Sequence, residues 1–126
     1  MSERTVLVVD DDDSVREVIV MSLEIVAGWQ VMQAESGRAA LDLAREHRFD
    51  AVLLDVMMPE MDGPTTLRHL RADPATRDVP VVLLTAKVMA GERAEWAELA
   101  VQGVIAKPFD PMRLHLEVAR LLGWEV

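Results

Sequence analysis

Four short apolar runs, each ending in a polar residue, constrain this chain more than anything else in it. Val6-Leu7-Val8-Val9 runs into Asp10-Asp11, Ala51-Val52-Leu53-Leu54 into Asp55, Val81-Val82-Leu83-Leu84 into Thr85, and Val104-Ile105-Ala106 into Lys107-Pro108. Short β-branched apolar runs read as strands of a parallel sheet that is covered on both faces. In open sheets of that kind, ligands bind just outside the carboxyl ends of the strands. The sequence therefore predicts three carboxylates, a hydroxyl and an ammonium along one sheet edge, which is the donor set of a metal-and-phosphoryl site.

The segments between the runs carry helical spacing. The first strand is expected at Thr5–Asp10, followed by a helix over Ser14–Val26 with Val15, Val18, Ile19, Ser22, Leu23 and Val26 on its core face. Ser14 and Glu17 fit a capping box, with Asp12 or Asp13 as the alternative cap, and Gly28 stops the helix. A second strand at Gln30–Ala34 precedes a helix capped by Ser36 whose core face is Ala40, Leu41 and Ala44. After the strand ending at Asp55, Asp62-Gly63 reads as turn and cap for a helix with Pro64 in its first turn and Ala72 near its end. The spacing then predicts a strand over Val79–Leu84, a helix over Ala90–Ala100, a strand over Val104–Ala106, and a last helix opened by Asp110-Pro111 and closed by Gly123. Five such β-α units make an α/β sandwich with right-handed crossovers. The 126 residues suit one domain, and with only Trp124-Glu125-Val126 after the last helix, no output domain is expected within 1–126.

Composition removes several function classes. The net charge of −9 argues against direct binding to nucleic acid or to an anionic membrane, both of which need basic patches. The absence of cysteine excludes disulfides and thiolate metal sites. The acidic N-terminal stretch is unlike a signal peptide, and no apolar run approaches the ~20 residues that span a bilayer, so a cytoplasmic location is expected.

Each strand-end residue suits a task. Clustered carboxylates raise one another's pKa unless a cation joins them, and Mg²⁺ takes oxygen ligands in octahedral geometry. One carboxylate can instead attack a phosphoryl group and become an aspartyl phosphate. Phosphoryl transfer depends chiefly on positioning and charge stabilisation, which Lys107 and Thr85 would supply to the phosphoryl oxygens.

In order and spacing, Val-Val-Asp10-Asp11, Leu-Leu-Asp55-Val-Met-Met-Pro59, Met61-Asp62-Gly63, Leu-Thr85-Ala86 and Lys107-Pro108-Phe109 resemble the receiver domain of two-component response regulators, of the single-domain chemotaxis-regulator type. The resemblance covers about Thr5 to Gly123. It implies a flavodoxin-like doubly wound fold with a parallel five-stranded sheet in the order 2-1-3-4-5. By resemblance Asp55 is the phosphoacceptor, served by a histidine kinase or a histidine phosphotransfer protein. Asp10 and Asp11 match the acidic pair that holds Mg²⁺, and the Met57 backbone carbonyl matches the third protein ligand. Thr85 matches the switch hydroxyl, Lys107 the lysine that pairs with the phosphate, and Lys107–Pro108 the family's cis peptide. Met57 and Lys87 match positions that flank the hydrolytic water and tune phosphate lifetime. Val15, Val18 and Met21, at the start of the first helix, match a surface that docks the kinase's helical bundle; equally, the helix has a broad buried face.

The chain departs from the family at Val104, where an aromatic switch residue is usual, and it contains no tyrosine. Taken singly, each motif has a plain structural reading: Asp10–Asp13 as a solvated acidic turn, Thr85 as a strand end, Lys107 as a surface lysine. Asp12 and Asp13 keep that reading. His47, His69 and His115 read as exposed and without a metal role, and Trp96 and Trp124 as either core cover or partner surface. The expected function is a stand-alone phosphoacceptor, which signals through protein binding and is not an enzyme acting on a separate substrate. It could serve as an output regulator, a relay shuttle or a phosphate sink. The alternatives are an interaction module that works without phosphorylation and a haloacid-dehalogenase-type phosphatase. The phosphatase class wants its nucleophile in an Asp-x-Asp arrangement on the first strand, and here Met57 lies two residues beyond Asp55.

Overall fold

The computed structural model describes residues 4–86 and 99–125. Its elements are β1 (Thr5–Val9), α1 (Asp13–Met21) continued by a wider π turn (Ser22–Val26), β2 (Gln30–Ala34), α2 (Gly37–Glu46), β3 (Ala51–Asp55), α3 (Gly63–Ala72), β4 (Val81–Thr85), β5 (Gly103–Ala106) and α4 (Leu114–Leu122). The strands form one parallel sheet in the order β2-β1-β3-β4-β5. The expected doubly wound α/β architecture is therefore present. The helix expected over Ala90–Ala100, with Trp96, and the residue Lys87 lie largely or wholly outside the described residues.

Alternation along the strands explains why the runs are apolar throughout. Leu7, Val9, Val52, Leu54, Val81 and Leu83 pack on one side against Ala40, Leu41 and Ala44 of α2 and Leu67 and Leu70 of α3. Val6, Val8, Leu53, Val82, Leu84 and Ile105 pack on the other against Ile19, Val20 and Leu23 of the first helix and Leu114 and Val118 of α4. Successive side chains point to opposite faces, and here both faces are core. The register sets Val9 beside Leu54, Asp55 beside Leu84 and Thr85 beside Ala106, which brings the strand ends to a common edge.

Local chemistry fixes the boundaries. Asp12 caps α1, its carboxylate accepting from the Ser14 and Val15 N–H groups at 2.9 and 3.2 Å. That settles the cap in favour of the aspartate over the Ser14/Glu17 box. Ser36 and Asp62 cap α2 and α3 as expected. β4 begins at Val81, two residues later than expected, because Pro80 has no N–H to give to a ladder and the Val79 N–H is taken by the Thr76 carbonyl in a turn. α4 begins at Leu114, because Asp110 and Pro111 open a separate turn. The Asp110 carboxylate accepts from the Met112 N–H and its carbonyl from the Arg113 N–H.

The face of the first helix also differs from expectation. Ile19, Val20, Ser22 and Leu23 are buried, while Val18, Met21, Ile25 and Val26 are exposed. The π turn advances the chain less per residue than an α turn does, so Val26 falls short of the core side. His115 is half-buried, not exposed: its Nδ1 has no hydrogen-bond partner and its ring meets Trp29 edge-on at 6.4 Å. Trp124 covers core, packing edge-to-face on Trp29 at 5.2 Å with the Arg4 guanidinium over its ring. No described helix is long and apolar enough to cross a membrane.

Candidate phosphoryl and metal site

The strand ends deliver their polar residues together. Asp10 follows β1 and is fully buried; its Oδ1 accepts from the Asp12 N–H at 2.9 Å and its Oδ2 from Lys107 Nζ at 3.0 Å. Asp55 ends β3, buried, with its Oδ1 accepting from the same Nζ at 3.1 Å. Carboxylate oxygens of Asp10, Asp11 and Asp55 lie within 4.8 Å of one another, with Asp11 the exposed member. Thr85 ends β4 and is buried, and its carbonyl accepts from the Lys107 N–H at 2.8 Å. The Lys107–Pro108 peptide is cis, as the resemblance implied.

The far side of the site is built by close backbone approach. Gly63 opens α3 with its N–H on the Val56 carbonyl, and a Cβ there would come within 2.5 Å of the Asp55 carbonyl oxygen. Only glycine lets the helix start this near the acceptor strand. Met57 exposes its side chain. Met61 packs on the core and against Gly37.

Burial, then the neighbouring Asp10 charge, pushes the Asp55 carboxyl above the ordinary carboxylate value, against the opposing pull of Lys107 and the Met57 N–H. For Lys107, burial works to lower the pKa, but the hydrogen bond and charge of Asp10, with Asp55 behind it, outweigh that and hold it raised. The ammonium is thus shared between two carboxylates whose charges oppose each other. The donors converging here are all carboxylate oxygens, which suits a hard divalent cation of the Mg²⁺ type.

Val15 and Val18 line a half-open apolar groove of about 430 Å³ with Pro108, Phe109 and Pro111, directly beside Lys107. Val104 is half-buried on the α2/α3 side of the sheet. Sequence reasoning missed two arginines. Arg16 donates to the Asp10 carbonyl, to Asp13 and to Gln33. Arg71, on α3, donates to the carbonyls of Arg77, Val79, Leu99 and Ala100. For Arg16 the spacing held a signal, an arginine one turn beyond the acidic run; Arg71 had none, because its partners are backbone atoms.

The family model for the response regulator receiver domain matches residues 6–119. The chain belongs to this family. The receiver is 36% identical over 121 residues to the phosphate regulon transcriptional regulatory protein PhoB of Pseudomonas aeruginosa, covering 96% of this chain and 51% of that protein. It is 38% identical over 117 residues to the transcriptional regulatory protein SrrA of Staphylococcus aureus, covering 93% of this chain and 47% of that one. The chain thus spans about half the length of these curated relatives. Among solved structures, the chemotaxis protein CheY4 of Vibrio cholerae superposes with a TM-score of 0.89 at 32% identity, over 95% of this chain and 99% of that one. A receiver domain of a Pseudomonas aeruginosa sensor histidine kinase, with a magnesium ion coordinated in its active-site cleft, gives a TM-score of 0.84 at 30% identity over 97% and 98% of the two chains.

Proposed function

We propose that the receiver accepts a phosphoryl group on Asp55 from a histidine kinase or a histidine phosphotransfer protein, in a Mg²⁺-dependent reaction in the cytoplasm. The observation that carries this reading is the shared Lys107 ammonium, 3.0 Å from Asp10 and 3.1 Å from Asp55 at one sheet edge. An Asp55 carboxylate oxygen attacks phosphorus as the phosphorus–nitrogen bond to the donor imidazole breaks, and the proton that the departing ring nitrogen needs comes from solvent. Asp10 and Asp11, with the Met57 carbonyl by family resemblance, would hold the Mg²⁺, which when bound supplies countercharge to the phosphoryl oxygens. Lys107, already held against Asp55, transfers its hydrogen bond to a phosphoryl oxygen. Thr85, ending the neighbouring strand, offers its hydroxyl to another.

The proposed output is altered affinity for a protein partner, as regulator, relay shuttle or phosphate sink. The chemistry is that of an acceptor which forms and loses its own acyl phosphate, with no separate substrate turned over. Val15 and Val18, whose groove opens beside Lys107, are the proposed docking contacts for the phosphodonor. One observation favours a second reading, an interaction module independent of phosphate: Val104 stands where the family's aromatic switch is usual.

Incubation with acetyl phosphate and Mg²⁺, followed by intact mass spectrometry of wild type and Asp55→Asn, separates the two. A phosphoryl adduct on wild type alone is expected. No adduct on wild type, or an equal adduct on the variant, overturns the acceptor assignment.

A further inference from the structure

We propose that Arg16 is a positioning residue for the cation site: it sorts the four consecutive aspartates so that Asp10 and Asp11 face the cation and Asp13 does not. The inference rests on the reading of Asp10, Asp11 and Asp55 as a divalent-cation cradle. Its basis is a three-way clamp. Arg16 Nη1 donates to the Asp10 backbone carbonyl at 2.7 Å, Nη2 to Asp13 Oδ1 at 2.6 Å, and Nε to Gln33 Oε1 at 3.2 Å. The Arg16 side chain is mostly covered, at 14% exposure, while that of Asp13 stands out at 83%. The clamp thus reaches from α1 to the acidic loop and to β2, the strand on the outer side of β1.

Each neighbouring carboxylate has its own assignment. Asp12 is spent on the helix cap, and Asp13 is drawn to the guanidinium. Asp10 is fixed twice, through its carbonyl by Arg16 and through its side chain by Lys107 and the Asp12 N–H. Only a planar fork with donors in several directions makes all three Arg16 bonds at once; a lysine ammonium is a single point on a flexible stem. Groups that orient cation ligands without touching the cation typically govern 10–100-fold in affinity.

The field and the positioning role predict opposite signs, which makes the proposal decidable. Removing a positive charge beside an acidic cradle should, by Coulomb's law alone, tighten cation binding. Loss of the clamp should weaken it. The experiment titrates Mn²⁺ into wild type, Arg16→Gln and Arg16→Lys, following the free ion by electron paramagnetic resonance, with circular dichroism to establish that each chain is folded. Both variants should bind Mn²⁺ about tenfold or more weakly than wild type while keeping its dichroism. Unchanged or tighter binding by Arg16→Gln overturns the proposal, as does full wild-type affinity in Arg16→Lys, which keeps the charge but lacks the planar fork. If Arg16→Gln does not fold, Arg16→Lys decides alone. Absence of Mn²⁺ binding by wild type itself overturns the cation reading, and this inference with it.

Discussion

Asp55→Asn should make the cation-free protein more stable. Asp55 is a buried carboxyl whose oxygens lie within 4.8 Å of those of Asp10 and Asp11. Two unit charges at that spacing repel by about 3–4 kcal/mol at an effective dielectric of about 20. Repulsion from both neighbours thus totals about 7 kcal/mol, and Lys107, 3.1 Å away, offsets about 5 kcal/mol of it at the same dielectric, an attraction the substitution forfeits too. The raised pKa of Asp55, caused first by burial and then by Asp10, says that the unfavourable side wins. We therefore expect a net gain of about 1–2 kcal/mol at neutral pH. At about 2 cal/mol/K of unfolding entropy per residue, the Tm of 126 residues moves by about 4 °C per kcal/mol, so the variant should melt about 4–8 °C higher.

The sign of the pH dependence follows from linkage. A carboxyl whose folded pKa is raised contributes stability below its unfolded value, and that contribution is lost as pH rises through the folded value. Asparagine cannot ionise, so its advantage should be full at neutral pH and should close as pH falls towards the ordinary value of 3.8. Thermal melts in a chelator, followed by tryptophan fluorescence from neutral to acid pH, measure this directly. Added Mg²⁺ should reverse the ranking, because a ligand that binds only the folded state stabilises by mass action and wild type holds the fuller ligand set. The reasoning is refuted if the variant melts no higher than wild type at neutral pH in chelator, or if its advantage persists unchanged in acid.

Two more outcomes are expected. Gly63→Ala forces a Cβ to within 2.5 Å of the Asp55 carbonyl, so it should cost about 1–3 kcal/mol in urea melts and slow acetyl-phosphate labelling of Asp55. Arg71→Ala leaves the carbonyls of Val79 and Leu99 without that donor, and should cost about 2–3 kcal/mol, with hydrogen exchange rising first at the start of β4 and ahead of β5.

The sequence displayed the site more fully than the scaffold around it. Asp10, Asp11, Asp55, Thr85 and Lys107 were legible because each sits at the end of an apolar run, and a parallel sheet aligns such ends whatever the helices do. What lay hidden depended on long-range partners. The Arg16 clamp joins α1, β2 and the loop after β1, and Arg71 speaks only to backbone carbonyls, to which no residue pattern points. The first helix misled because its period changes at Ser22, where the hydroxyl donates to the Pro111 carbonyl and the wider turn re-phases Val26 out of the core. His115 was misjudged because its half-burial comes from Trp29, brought beside it only by the fold.

The strand order has one more consequence. The two bonds that Lys107 makes at the site close chain separations of 97 and 52 residues, and they run from β5 at one side of the sheet across β4 to β3 and β1. No sheet that lacks β5 contains them. An intermediate with β1, β3 and β4 in place but β5 undocked would bring Asp10 and Asp55 together with no ammonium between them. Its most crowded negative charge would thus form before the group that offsets it. Docking of β5 therefore supplies the site's cation and its last strand in one event. A folding experiment that followed acetyl-phosphate reactivity in time would be watching β5 arrive.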